Sequence, residues 1–207
     1  ISNQQKNWVM RNILDRSRGK PISKIFGIKE FFSNEFFVNN NVLDPRPETE
    51  LLVEVAISQC SKMNKNEISI LDLGLGSGCI IISILRELPK IKFRALGVDC
   101  SEEALEVAKK NVKKFKLEKF LKTRKSNWFS SVNSKFDIIV INPPYIKTSQ
   151  VCMLEKGVRT YDPYLALNGG SNGLKAYEII SNEAKYYLYN QGVIIMEIGF
   201  GQLDSVK

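Results

Sequence analysis

The run Ile70-Leu71-Asp72-Leu73-Gly74-Leu75-Gly76-Ser77-Gly78 carries an apolar stretch into three glycines at alternate positions, and a second apolar run starts at Cys79. A strand that enters a glycine turn and leaves it as a helix lets the backbone approach a ligand closely. The free amides of the helix start favour negative charge or lone pairs there. Dinucleotide dehydrogenases space their glycines G-x-G-x-x-G; here Cys79 falls where the third of those glycines would stand, and the spacing favours S-adenosylmethionine. Asp99 closes the next apolar run, 21 residues past Gly78, where a carboxylate accepts hydrogen bonds from both hydroxyls of a ribose.

A second constellation is Asn142-Pro143-Pro144-Tyr145, directly after the apolar run Phe136 to Ile141. Two successive prolines cannot continue a sheet ladder, so they set a rigid loop at the carboxyl end of a strand, where open α/β sheets bind ligands. The chemistry this suits is transfer to a planar nitrogen. An amide or exocyclic amine has a delocalised lone pair and reacts only once its N–H groups are held and the lone pair is turned toward an electrophile. The Asn142 side-chain oxygen and the Pro143 carbonyl can each accept one such N–H, with Tyr145 as an apolar wall. No general base is needed for that, which matters because the chain has no histidine.

These residues need an alternating scaffold. The runs Ile68 to Leu73, Phe93 to Val98, Phe136 to Ile141 and Val193 to Ile198 read as buried strands. Glu50 to Ser61, Cys79 to Leu88, Glu102 to Phe115 and Leu174 to Asn190 read as helices between them, Ser101 serving as a hydroxyl cap before Glu102 and Glu103. The expected fold class is α/β, a mostly parallel sheet with helices on both faces. Upstream, Ile25 to Phe31 and Glu35 to Val38 predict a small antiparallel hairpin turning at Phe32, Ser33 and Asn34. The prolines and glycines between Pro143 and Gly173 mark a long irregular segment of the kind that is functional in compact domains.

Composition narrows the class further. At 43% hydrophobic over 207 residues the chain can close one main core. No run approaches a membrane span and no signal-peptide core opens the chain, so a cytoplasmic location is expected. Cys60, Cys79, Cys100 and Cys152 are widely spaced, which argues against a metal site or disulfides. The net charge of +8, with Lys109, Lys110, Lys113, Lys114 and Lys116 on one predicted helix, suits either RNA or an ordinary solvated face.

Together these motifs make the sequence resemble the HemK/PrmC family, the peptide chain release factor glutamine N5-methyltransferases. The resemblance runs from about Arg18 to Val206 and includes Arg18-Gly19-Lys20-Pro21, Pro45-Arg46-Pro47-Glu48-Thr49-Glu50, Ser126-Asn127-Trp128-Phe129, Val158-Arg159, Asp162-Pro163, Gly173-Leu174 and Glu197-Ile198-Gly199. It implies a class I, Rossmann-like methyltransferase fold and a glutamine substrate in the Gly-Gly-Gln motif of class 1 release factors. The implied cofactor is S-adenosylmethionine, leaving as S-adenosylhomocysteine, with no metal and no membrane. By matched position, Gly74, Leu75, Gly76, Ser77, Gly78, Asp99, Asn127, Trp128 and Asn142 are expected at the cofactor. Asn142, Pro143, Pro144 and Tyr145, with Arg46 and Glu48, are expected at the glutamine, and Asn142, Pro143 and Tyr145 form the catalytic group. On residue habits alone, Trp128 also suits a core, and Arg46 and Glu48 a helix start at Pro47.

The sequence departs from the family at three places: Leu75 where threonine is frequent, Asn127 where an acid usually precedes the tryptophan, and Asp44 where an apolar residue is typical. Residues 1–42 are expected to be a remnant of the family's N-terminal helical region with the hairpin linker, and 43–207 the catalytic domain, with further chain expected at both ends. Two other readings stand beside the glutamine one. The loop is shared with methyltransferases of adenine N6 and guanine N2, which the Arg-Pro-Glu-Thr-Glu run disfavours. A cofactor-binding fragment without catalysis is disfavoured by the intact Asn142 and Tyr145.

Overall fold

The computed structural model describes residues 1–207. Two helices open the chain, α1 (Asn3–Ser17) and α2 (Ile22–Phe26), followed by a two-stranded hairpin, β1 (Ile28–Phe31) and β2 (Asn34–Phe37). Then come α3 (Glu50–Lys62), β3 (Glu67–Leu73), α4 (Cys79–Glu87), β4 (Lys92–Asp99), α5 (Glu102–Lys114), β5 (Leu121–Lys125) and β6 (Phe136–Ile141). Three short helices, α6 (Thr148–Val151), α7 (Lys156–Tyr161) and α8 (Tyr164–Leu167), occupy the irregular segment, and α9 (Lys175–Glu183), β7 (Leu188–Met196) and α10 (Leu203–Val206) complete the chain. No helix is long and apolar enough to cross a membrane.

The sheet has the order β5-β4-β3-β6-β7, and all of its neighbours run parallel. From β3 the chain steps outward through β4 to β5, then returns to lay β6 on the other side of β3. The order therefore reverses between β3 and β6, and the crevice beyond their carboxyl ends is where such sheets take ligands. The glycine turn leaves β3 there, and Asn142 follows β6 there.

Alternation along each strand sorts the core into two layers. Ile68, Ile70, Phe93, Ala95, Ile138 and Val140 face α3, α4 and α5. Leu71, Leu73, Leu96, Val98, Ile139 and Ile141 face Phe129, Val132 and α9. Burial on both faces explains why these strands read as largely apolar runs without a regular polar alternation. The hairpin contributes Phe31 and Phe36 to the first layer.

Several expected elements shift. The second hairpin strand starts at Asn34 because the turn contains only Phe32 and Ser33, at φ 49° and 55°, and Ile25 and Phe26 belong to α2, which ends at the left-handed Gly27. Two consecutive left-handed residues make the hairpin connection whose twist matches its strands. The helix expected from Leu174 to Asn190 ends at Glu183 and passes through a 3-10 turn, Ala184–Tyr186, into β7. The Phe136 amide donates to the Tyr187 carbonyl and Leu188 pairs with Phe136, so sheet pairing captures a segment whose helical period alone ran on. The final strand is half-buried, not buried, since β7 has a neighbour only in β6. Strand β5 carries no apolar signal in the sequence: Leu121-Lys122-Thr123-Arg124-Lys125 is a polar edge strand with only Leu121 buried.

Candidate active site

The glycine turn and Asp99 form one unit. The amides of Gly74 and Leu75 both donate to the Val98 carbonyl at 2.9 Å, which pins the turn to the end of β4. The Gly76 amide donates to one Asp99 carboxylate oxygen and the Ser101 amide to the other, each at 2.9 Å. Gly74, Gly76 and Gly78 take φ of 81°, 53° and 79°, a left-handed succession that side chains with a Cβ rarely adopt. Leu75 needs no threonine: its side chain is buried over Gly97 of β4, where an added Cβ would lie 2.4 Å from Leu75 Cδ1. Behind the turn, the fully buried Asn111 of α5 donates to the carbonyls of Ser77 and Phe37 and accepts the Phe37 amide, tying the hairpin to the glycine turn.

The turn walls a cavity of about 430 Å³, within the range of small-molecule sites. Gly74, Leu75, Gly76, Ser77, Asp99, Asn127, Trp128, Asn142, Pro144 and Arg46 all line it, as do Ile80, Val98 and Ala104. A Cβ on Gly74 would meet nothing within 4 Å, so open space lies against the backbone here. Each Asp99 oxygen keeps a second lone pair beyond its amide partner. Burial first, and the Asp99 charge second, push the Asp72 carboxyl well above the usual range. Trp128 sits at φ 51°, an unfavourable conformation for a bulky residue, held by Ser126, whose hydroxyl donates to the Trp128 carbonyl at 2.7 Å and accepts the Ser131 amide at 2.9 Å.

After β6, Asn142 Nδ2 donates to Thr49 Oγ1 at 3.1 Å, Thr49 donates to Glu197 Oε2 at 2.6 Å, and Tyr145 donates to Glu197 Oε1 at 3.2 Å. Burial and then the Glu197 charge push the Tyr145 phenol up to about 12, so it stays a donor at ordinary pH. The loop that carries these residues is clasped by glycines. A Cβ on Gly169 would lie 2.7 Å from the Pro144 carbonyl oxygen, and one on Gly173, at φ 79°, 2.6 Å from that of Tyr145. Gln202 Nε2 donates to the carbonyls of Tyr145 and Gly173, closing the clasp.

The methyltransferase small domain family matches residues 45–170. A bifunctional methyltransferase of Rickettsia typhi is 43% identical over 92% of this chain, and the chain spans 40% of that relative's length. A release factor glutamine methyltransferase of Buchnera aphidicola is 37% identical over 100% of the chain and 75% of its own length. The chain belongs to the release factor glutamine methyltransferase family. A methyltransferase structure from Pyrococcus furiosus matches its fold at a TM-score of 0.58 and 17% identity, over 100% of this chain and 85% of that one.

In this family member not every expected residue reaches the cavity. Gly78, Pro143 and Tyr145 adjoin the lining residues without being among them, and Glu48 is exposed and outside the lining. Arg46 lines the cavity but pairs with Asp162 at 2.8 Å. That pair belongs to a buried ionic cluster: Lys24, with no exposed side-chain surface, contacts Asp162 at 3.2 Å and donates to the carbonyls of Asn39 and Val42 at 2.7 and 2.6 Å. Asp44 accepts the Ser23 hydroxyl at 2.8 Å, and its amide donates to Asp162. Sequence reasoning assigned no role to Thr49, Asn111, Lys24 or Glu197. Thr49 and Glu197 stood inside recognised motifs, yet nothing in their spacing says that residues 148 positions apart share a hydrogen bond.

Proposed function

We propose that this chain transfers a methyl group from S-adenosylmethionine to the side-chain amide nitrogen of a glutamine, within the Gly-Gly-Gln motif of class 1 release factors, and that residues 43–207 are the catalytic unit flanked by residues 1–42. The observation that carries this reading is that Asn142, the glycine turn and Asp99 all line one cavity at the switch between β3 and β6. The names of the relatives in Buchnera aphidicola and Agrobacterium fabrum support the choice of substrate.

The residues present fit the cofactor: left-handed glycines with open space beside Gly74, a carboxylate with spare lone pairs for vicinal hydroxyls, and an apolar lining from Ile80, Val98 and Ala104 for a purine. Bound S-adenosylmethionine supplies an electrophilic methyl group on a sulfonium that departs as a neutral thioether. The chain's part is orientation. Asn142 Nδ2 is committed to Thr49, so Oδ1 is the atom left to accept a substrate N–H. With the Pro143 carbonyl accepting the other N–H, the nitrogen lone pair stands out of the amide plane toward the methyl group. The N–C bond forms, the amide nitrogen loses one proton to water, and the product is the N-methylated glutamine. Orientation of this kind removes much of the entropic barrier without a general base.

The test is transfer of labelled methyl from S-adenosylmethionine to a purified class 1 release factor, native or with the motif glutamine changed to alanine, alongside calorimetric binding of the cofactor. Label on the native factor alone is expected. Label on both factors, or on tRNA or DNA adenine instead, overturns the reading.

A further inference from the structure

Asn142 can serve a nucleophilic amide only if its oxygen, not its NH2 group, faces the substrate. A carboxamide is nearly symmetric in shape, so its direction has to be set by its neighbours. We infer that Glu197 sets it, acting through Thr49, and that these two are positioning residues for the methyl transfer.

The polarity runs one way along the chain of contacts. Glu197 is an acceptor, and it takes the Thr49 hydroxyl proton at 2.6 Å, the length of a hydrogen bond to a charged oxygen. Thr49 has a single hydroxyl proton, so once that proton points at Glu197 only lone pairs face Asn142. Those lone pairs accept the Asn142 Nδ2–H at 3.1 Å and would repel Oδ1 in the reversed rotamer. Tyr145 adds a second donor to Glu197 at 3.2 Å, which holds the carboxylate in place and leaves its other oxygen to Thr49. The three groups come from separate elements. Thr49 is buried at the start of α3, Asn142 follows β6, and Glu197 follows β7, whose amide donates to the Ile141 carbonyl at 3.0 Å. An edge strand thereby acts on the reacting nitrogen without touching it.

This inference rests on the glutamine reading only for its consequence, so its test has an arm that needs neither cofactor nor substrate. In a chain labelled with 15N at asparagine, the Asn142 side-chain amide proton bonded to Thr49 is expected to exchange slowly with solvent. Glu197→Met, close in size but without an acceptor, and Thr49→Val, close in shape but without a hydroxyl, should each abolish that protection. Glu197→Gln, which can still turn a carbonyl oxygen to Thr49, and Thr49→Ser should keep it. Backbone amide shifts of β6 and β7 report that each variant is folded, and either disruptive variant suffices. Unchanged protection in a folded Glu197→Met or Thr49→Val chain overturns the inference.

The second arm is single-turnover methylation of a Gly-Gly-Gln peptide. Glu197→Met should slow it about a hundredfold, the scale seen when one oriented hydrogen-bond group is removed from a reacting centre, with cofactor affinity unchanged. Placed on Asn142→Ala, the same change should cost nothing more, because its effect is spent through Asn142. Additive losses, or a Glu197→Gln chain as slow as Glu197→Met, overturn the inference. A wild-type chain that binds cofactor but labels no glutamine defeats the substrate reading alone, and the exchange arm still decides the direction of Asn142.

Discussion

Replacing Asp162 by alanine strands a buried cation. Lys24 has no exposed side-chain surface, and its only opposite charge within 4 Å is the Asp162 carboxylate at 3.2 Å. At that distance and an effective dielectric of about 20 the attraction is roughly 5 kcal/mol, and removing one partner of such a pair usually costs about 3–5 kcal/mol because the other charge stays buried. Arg46 also loses its partner, but it is 37% exposed and water compensates it, so we assign the loss to Lys24. The expected result is a fall of about 3–5 kcal/mol in urea unfolding at pH 7.

The pH dependence gives the reasoning a second, sharper check. Burial, partly opposed by Asp162 and Asp44, already holds the Lys24 pKa below its ordinary value of 10.5. Losing Asp162 lowers it further. Between the folded and unfolded pKa values the unfolded chain binds the proton and the folded chain does not, so stability rises with pH in that window. The variant enters the window at lower pH than the wild type, and its deficit should shrink as pH climbs toward 10.5. Because Lys24 also bonds the carbonyls of Asn39 and Val42, and the segment from Asn40 to Leu43 lines the cavity, cofactor affinity should fall with stability. A deficit below about 1 kcal/mol, or one that grows with pH, refutes the account of Lys24 as a charge held by Asp162.

Asp99→Ala should weaken S-adenosylmethionine by about 1.5–3 kcal/mol, the worth of hydrogen bonds to a charged group, in a chain that still folds; calorimetry showing unchanged affinity removes Asp99 from the ribose role. Gly173→Ala places a methyl group 2.6 Å from the Tyr145 carbonyl oxygen at φ 79°. A loss of about 1–3 kcal/mol is expected in thermal unfolding, with methyl transfer reduced more than cofactor binding; wild-type activity would show the clasp to be unnecessary. Gly97→Ala drives a Cβ to 2.4 Å from Leu75 Cδ1 and should cost about 1–3 kcal/mol while weakening cofactor binding, since Leu75 is part of the turn. Restoring room with Leu75→Ala in the same chain should recover part of both, and no recovery would place the strain elsewhere.

The sequence by itself determined what local chemistry can encode. Runs dominated by apolar residues announced β3, β4 and β6 because strands covered on both faces show little polar side. The glycines at 74, 76 and 78 announced a turn because few other residues tolerate a run of positive φ. Asp99 and the Asn-Pro-Pro-Tyr loop were legible because each follows directly on such a strand.

Signals failed where a neighbour in space set the outcome. Strand β5 is polar because it is an edge, α9 stops early because β6 captures Leu188, and β7 is half-buried because it has one partner. The direction of Asn142 belongs to this second group. Its residue type could be read from the chain, but the hydrogen-bond chain through Thr49 to Glu197 exists only once α3, β6 and β7 are packed side by side. A hydrogen bond acts over about 3 Å whatever the separation in sequence, so only the tertiary fold could decide which atom of that amide faces the cavity.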